Sequence, residues 1–235
     1  MADSCVVSAP QIIPRPPHVE VVTASLALPG SVELSEAHIR STLQGRVGQA
    51  VHFEDTAEPH ESAVAIVMSP DPHDDIEVVL TRRSWAMRRH AGEVSFPGGL
   101  REPGDETLLD TALREAFEEV GLDRAIVEPI GEIDHARTNT TDRIIVPHVV
   151  WSAARPQLCA NTDEVDRILH IRLSQLLLPG VFHEERWNFG GSWHSLYFFD
   201  VGHDLIWGAT AAMLVNLFNI LAHRTFDLFA RRVPD

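Results

Sequence analysis

The sequence predicts an α+β domain, and three observations carry that expectation. Two β-branched runs, SAVAIVM (62–68) and IEVVLTR (76–82), are separated by the turn residues Pro70, Asp71, Pro72 and Asp75. A third strand, EVSF, leads into Pro97, Gly98 and Gly99 and then into a helix predicted from about Glu106 to Val120, which Gly121 stops. Further strands follow, and an apolar helix predicted over about Trp207–Ala222 closes the order.

Taken in order, residues 1–30 hold five prolines, Pro16 and Pro17 among them, and show no strand or helix periodicity, so they read as an irregular arm lying on the core. Ser35 can cap a short helix that runs to Leu43, with Gly45 as its stop. Residues 1–60 are therefore expected to be an accessory arm, and residues 61–235 the main domain. Past Gly121, IVEPIGEIDHA and DRIIVPHVVW flank the polar stretch Asn139–Asp142 and read as a long hairpin. ILHIRL and SLYFFDV are further strands.

Composition removes several chemistries. All 19 basic residues are Arg, which excludes Schiff-base catalysis and the phosphate-loop lysine. A net charge of -15 argues against broad attraction to duplex nucleic acid or an anionic membrane. Cys5 and Cys159 lie far apart without CxxC spacing, so neither a zinc site nor a disulfide framework is expected, and a reducing compartment is the default. The N-terminus lacks the pattern of a signal peptide, and Ala209–Ala222 is too short and too interrupted, at Asn216 and Asn219, to span a bilayer. Cytoplasmic location is the expectation. Among the 13 histidines no HExxH spacing occurs, and GxSxG is absent too.

The most informative stretch is Arg114-Glu115-Ala116-Phe117-Glu118-Glu119-Val120-Gly121. On a helix, Glu115, Glu118 and Glu119 fall within an arc of about 100°. Leu109, Ala112, Leu113, Ala116 and Val120 lie on another face, suited to pack on a sheet. Like charges at this spacing repel, and a hard divalent cation relieves them while leaving room for water and phosphate oxygens. The plain alternative is a solvated acidic face on which Arg114 pairs with Asp110 and Glu118. Gly98 and Gly99 permit close backbone approach beside the acidic face, where a carbonyl also reaches a metal. Upstream, Arg82, Arg83, Arg88, Arg89 and His90 form a basic cluster in an otherwise acidic chain, and guanidinium forks suit phosphate.

These residues resemble the Nudix box. Gly99, Glu106, Arg114, Glu115, Glu118, Glu119, Gly121 and Leu122 occupy its positions, with six residues instead of five between Gly99 and Glu106 and with Ala116 smaller than the usual aliphatic. A second stretch, Leu80-Thr81-Arg82-Arg83-Ser84, then Arg88, Gly92 and Phe96-Pro97-Gly98-Gly99, resembles the motif of coenzyme A diphosphatases within that family. The likeness covers roughly residues 60–222. It implies the Nudix fold, a mixed β-sheet sandwiched between α-helices, and Mg²⁺- or Mn²⁺-dependent hydrolysis of coenzyme A or acyl-CoA to 3′,5′-ADP and 4′-phosphopantetheine. Hydrolysis of another nucleoside diphosphate derivative, such as ADP-ribose or a dinucleotide, is the runner-up, and a nucleotide-sensing module without catalysis comes third.

On that resemblance the metal ligands are Glu118 and Glu119, with the Gly99 carbonyl and with Glu115 as either third ligand or base. Arg114 orients a glutamate, Glu164 is a candidate base or ligand from a distant loop, and Arg82, Arg83, Arg88 and Gly98 meet the substrate. The expected partner is a small diphosphate compound, not nucleic acid or a membrane. Pairing as a homodimer is a prior taken from relatives.

Overall fold

The computed structural model describes residues 11–23, 25–50, 60–137 and 143–226, so Cys5 and the Asn139–Asp142 tip of the long hairpin lie outside the described residues. The chain runs through β1 (Val19–Val22), α1 (Glu36–Leu43), β2 (Glu61–Pro70), β3 (Ile76–Arg83), β4 (Val94–Ser95), β5 (Gly98–Leu100) and α2 (Leu108–Val120). It continues through β6 (Val127–Glu132), β7 (Ala136–Arg137), β8 (Ile144–Ser152), β9 (Val165–Arg172), α3 (Leu173–Leu176), β10 (Phe182–Phe189), β11 (Ser192–Asp200), β12 (Leu205–Trp207) and α4 (Gly208–Leu221). Among the described residues no helix is long and apolar enough to cross a membrane.

The larger sheet is mixed, with the order β4-β3-β2-β8-β6, and β9 pairs with β3. β2 and β8 run parallel in register from Glu61–Ile144 to Met68–Trp151. β6 and β7 both pair antiparallel with β8, as expected of the hairpin's arms. β2 and β3 pair only through Met68–Pro70 and Ile76–Val78. Beyond that point the segment 94–100 enters: β4 pairs with Thr81 and Arg82, β5 pairs with Ser62–Val64, and Ala65 N–H donates to the Pro97 carbonyl at 2.8 Å. The pair Gly98-Gly99, read from sequence as a loop, is thus a sheet strand. Gly98 needs its lack of a side chain, because at φ +158° a methyl there would overlap the Ala63 carbonyl and Val64.

Strand alternation sorts the two faces of this sheet. Ala63, Ala65, Val67, Val79 and Val150 face α2, whose Ala112, Leu113, Ala116 and Val120 complete that layer. Val64, Ile66, Met68, Val78 and Leu80 face the larger core, shared with α1 and α4. α4 is apolar on nearly every side, as befits a buried helix. Of its two interrupting polar residues, Asn216 exchanges hydrogen bonds with Asp134 at 2.9 and 3.0 Å, and Asn219 donates to the Ala27 and Val215 carbonyls at 2.7 and 2.8 Å while its Oδ1 is buried without a partner.

The second sheet, β1-β10-β11-β12, is antiparallel, and its sequence signal was weak. β11 was expected, whereas β10, β12 and β1 were not. β1 is only Val-Glu-Val-Val, and its conformation is set by pairing with Glu184–Trp187 of β10. The arm therefore contributes a strand instead of lying irregularly throughout. Gln11 holds both backbone groups of Leu205, at 2.6 and 3.0 Å, and Arg15 forks onto Glu185.

Candidate active site

α2 is held firmly at both ends. Thr107 accepts from the Asp110 amide at 3.1 Å while Asp110 accepts from the Thr107 amide at 3.0 Å, a reciprocal cap of the kind that contributes about 1 kcal/mol. The helix thus starts two residues after Glu106, which is exposed and outside it. Gly121 ends it in the left-handed region, and the loop behind it takes up the last carbonyls: Cys159 N–H bonds to Val120 O and Asn161 N–H to Glu119 O, both at 2.9 Å. Alanines at 63, 65, 112 and 116 keep helix and sheet close.

That closeness carries Glu119 almost wholly out of water, at 3% exposure. Its Oε1 lies 3.8 Å from Arg83 Nη1, and its Oε2 is buried with no hydrogen-bond partner. Burial pushes the Glu119 carboxyl up to about 7, against the opposing pull of Arg83 and the Gly98 backbone, with Glu115 and Glu164 raising it further. Glu115 is also raised, chiefly by burial, with Arg114 opposing. Its carboxylate lies against Gly99, where a methyl group would overlap it. Glu118 is the exposed member of the trio. Arg114 contacts Glu115 and Glu118, each at 3.1 Å, and donates to the Leu100 carbonyl at 2.9 Å.

The expected pairing of Arg114 with Glu118 is present, but Asp110 pairs with Arg124 instead. The main partner of Arg114 is one that sequence reading missed. Asp105, 5% exposed in its side chain, takes the guanidinium in a two-pronged contact at 3.0 and 3.1 Å and also accepts from Thr111 and the Glu102 amide at 2.9 Å. Arg114 holds the Asp105 carboxyl well below the usual carboxylate range. Glu106, which the box pattern nominated, offers Arg101 only its backbone carbonyl. The signal was available: with an extra residue in the connection, the neighbouring acid at 105 was an equal candidate.

The arginines separate. Arg82 and Arg83 are successive residues of one strand and so point to opposite faces. Arg83 shares the α2 side with Glu119. Arg82 is 5% exposed on the other side, where it pairs with Asp166 at 2.8 Å and with Asp204 at 3.2 Å, and Arg167 also reaches Asp204. The expectation that Arg82 meets substrate is therefore corrected: its donors are held by carboxylates of β9 and of the turn before β12. A bulge accompanies this division, since Arg82 opposes Arg167, Arg83 opposes Val165, and Asp166 is the extra residue. Arg88 is exposed on the loop between β3 and β4, and among the described residues it makes no hydrogen bond or ion pair. Gly92 in that loop carries the Trp85 indole directly against it. Glu164 is exposed, its carbonyl receives the Ser84 amide at 2.7 Å, and its charge acts on both Glu115 and Glu119.

A divalent cation suits this donor set. An orphaned, buried carboxylate oxygen on Glu119, raised carboxyls on Glu115 and Glu119, and an acidic neighbour at Glu118 are what a hard cation relieves. Among the described residues no three His, Cys, Asp or Glu side chains are gathered tightly enough to grip an ion as they stand. Arg114 lies between Glu115 and Glu118, and Arg83 beside Glu119, and these guanidinium groups supply the positive charge.

Residues 59–200 match the NUDIX domain family. A relative from Photorhabdus laumondii, named uncharacterized Nudix hydrolase NudL, is 36% identical over 153 residues, 65% of this chain and 79% of the relative. A protein of the same name from Yersinia pestis is 31% identical over 154 residues, 66% of this chain and 75% of the relative. The fold is similar to that of a MutT/nudix family protein from Enterococcus faecalis, with a TM-score of 0.50 and 16% identity over 74% of this chain and 66% of that one. With the mixed sheet, the capped acidic helix and the Gly99–Glu115 contact, these matches identify the chain as a member of the Nudix family, a hydrolase of diphosphate-linked compounds.

Proposed function

We propose that the chain is a coenzyme A diphosphatase, splitting coenzyme A or an acyl-CoA into 3′,5′-ADP and 4′-phosphopantetheine with Mg²⁺ or Mn²⁺. The observation that carries this reading is the run from Leu80 through Arg83, Arg88 and Gly92 to Phe96-Pro97-Gly98-Gly99, joined directly to the Nudix box. Arg83 stands beside Glu119, and Arg88 is exposed with no partner among the described residues. Both supply local positive charge for a substrate that carries a diphosphate and a 3′-phosphate. Arg82, engaged by Asp166 and Asp204, has no part in this proposal.

Glu118 and Glu119 would hold the metal with the Gly99 carbonyl, and Glu115 would serve either as third ligand or as base. A bound divalent ion neutralises the diphosphate, orients it and makes water a better nucleophile. Glu115 or Glu164 takes the proton of the attacking water. A carboxyl whose proton affinity burial has raised is suited to that work, which favours Glu115. Arg114, fixed by Asp105, keeps Glu115 and Glu118 in place, and Arg83 stabilises charge as the phosphorus–oxygen bond breaks. Gly98, whose missing side chain lets β5 close onto Ala63 and Val64, would meet the substrate through its backbone beside Glu119.

The test is turnover of coenzyme A, acetyl-CoA, ADP-ribose and a dinucleoside polyphosphate with each metal, with products identified by mass. Release of 3′,5′-ADP and 4′-phosphopantetheine at the highest kcat/KM is expected. Equal or faster hydrolysis of ADP-ribose would overturn the coenzyme A reading.

A further inference from the structure

The other flank of α2's first turn holds a cleft that the hydrolytic reading does not use. After α1 the chain runs along β6: Gly45 N–H bonds to the Ile130 carbonyl at 2.8 Å, Glu132 N–H to the Arg46 carbonyl at 2.9 Å, and His135 N–H to the Gln49 carbonyl at 3.0 Å. Gly48 makes this close approach available, because a methyl there would overlap the Ile133 carbonyl. Between this segment, the start of α2 and strands β6 and β8 lies a cleft of about 620 Å³. Val47, Leu108, Leu109 and Val146 give it apolar walls, and Glu132, His135 and His148 give it one polar end. None of Arg83, Gly99, Glu115, Glu118 and Glu119 lines it.

The polar end is left incomplete by the protein. His148 is 8% exposed, and its Nε2 is buried without a partner, as is Nε2 of His135. The two imidazoles stand 3.5 and 3.7 Å from the two oxygens of Glu132, with no hydrogen bond closed between them, and the Gly48 amide at 3.0 Å is the carboxylate's hydrogen-bond donor. Burial holds His148 below its ordinary value, against the opposing pull of Glu132. Arg46, which also lines the cleft, is held by the Asp134 carboxylate and by the backbone carbonyl of Glu132. Among the described residues the Glu132 carboxylate therefore forms no ion pair with a guanidinium.

We propose that this cleft binds a small organic cation, an ammonium group attached to an apolar body, with Glu132 as its counter-ion. The ammonium brings hydrogen-bond donors and a full positive charge to the Glu132 carboxylate, whose present hydrogen-bond donor is the Gly48 amide. An apolar body fills the space between Val47, Leu108 and Leu109, in the usual manner of a site with apolar walls and a few convergent polar groups. A bare metal ion leaves that volume empty, and the three side chains are not gathered around one point.

Calorimetric titration of the full chain with phenethylammonium, hexanoate and Zn²⁺ in separate runs tests this. Saturable binding of phenethylammonium is expected, at least tenfold weaker in Glu132→Gln and in Val47→Arg, and unchanged in Glu119→Gln. Val47 is 78% exposed, so the second variant puts a competing cation at the cleft mouth without disturbing the core. No saturable binding, equal binding by Glu132→Gln, loss in Glu119→Gln, or a preference for hexanoate or Zn²⁺ would each overturn the proposal.

Discussion

Arg82 and Arg83 are neighbours in one strand, yet they serve opposite ends of protein chemistry. On one face Arg82 is closed in by Asp166 and Asp204, a buried network that joins the strand holding the active site to the second sheet. On the other face Arg83 stands 3.8 Å from a carboxylate whose second oxygen has no partner at all. Asp204 and Glu119 are buried alike, each 4% exposed in its side chain, but only the first has its charge answered in full. Charges that satisfy one another hold a fold together, whereas charges buried and left unsatisfied are held ready for something that arrives later.

The sharpest way to break this contrast is to remove Arg82. Arg82→Ala leaves Asp166 without its guanidinium and Asp204 with Arg167 alone, and a loss of about 3 kcal/mol in unfolding free energy is expected by denaturant titration, as for other broken buried pairs. Glu119→Gln is expected to do the reverse. Its kcat falls about 10²–10³-fold while the metal-free protein keeps or gains thermal stability, because a buried unpartnered charge has gone. A variant that lost stability as well would erase the distinction.

The pH dependence sharpens it further. The Glu119 carboxyl is raised from 4.5 to about 7 in the folded state, so its contribution is fully present below pH 4.5 and is lost as pH rises through 7. Metal-free wild type is expected to lose on the order of 3 kcal/mol across that window relative to Glu119→Gln, read by urea unfolding at several pH values. Asp105 shifts the opposite way, so its contribution is present above its unfolded value and is lost only as pH falls into the acid range. The smallest expected effect is Asp105→Asn, which lowers kcat about 10–100-fold with little change in KM because it acts through Arg114. Asp105→Glu should restore part of kcat, which a merely structural residue does not require.

Local signals were read well from sequence. α2 was legible because its cap, its apolar stripe and its terminal glycine agree, and β2, β3 and the long hairpin because β-branched runs are bounded by turn residues. The second sheet was poorly legible. β1 and β12 have four and three residues and owe their conformation to partners far along the chain, and β10 alternates charges with aromatics in a pattern that gives no clear apolar face. At the site, the face shared by Glu115 and Glu119 followed from helical spacing. The partner of Arg114 did not, because an acid in an irregular connection has no periodicity to fix its direction. The fate of Arg82 was legible in principle: a strand with Arg83 turned toward one layer must send Arg82 to the other.

The contact between Gly99 and Glu115 is pinned from both sides, Gly99 by pairing with Ala63 and Glu115 by a helix seated on alanines of the same strand. The connector between them is itself tied in, Arg101 N–H bonding to the Glu61 carbonyl at 3.1 Å and the Glu102 amide to Asp105, which holds Arg114. The additional residue in this connection is thus taken up between two fixed ends, and the distance across which the reaction is organised is set by the strand and the helix and not by the length of the loop.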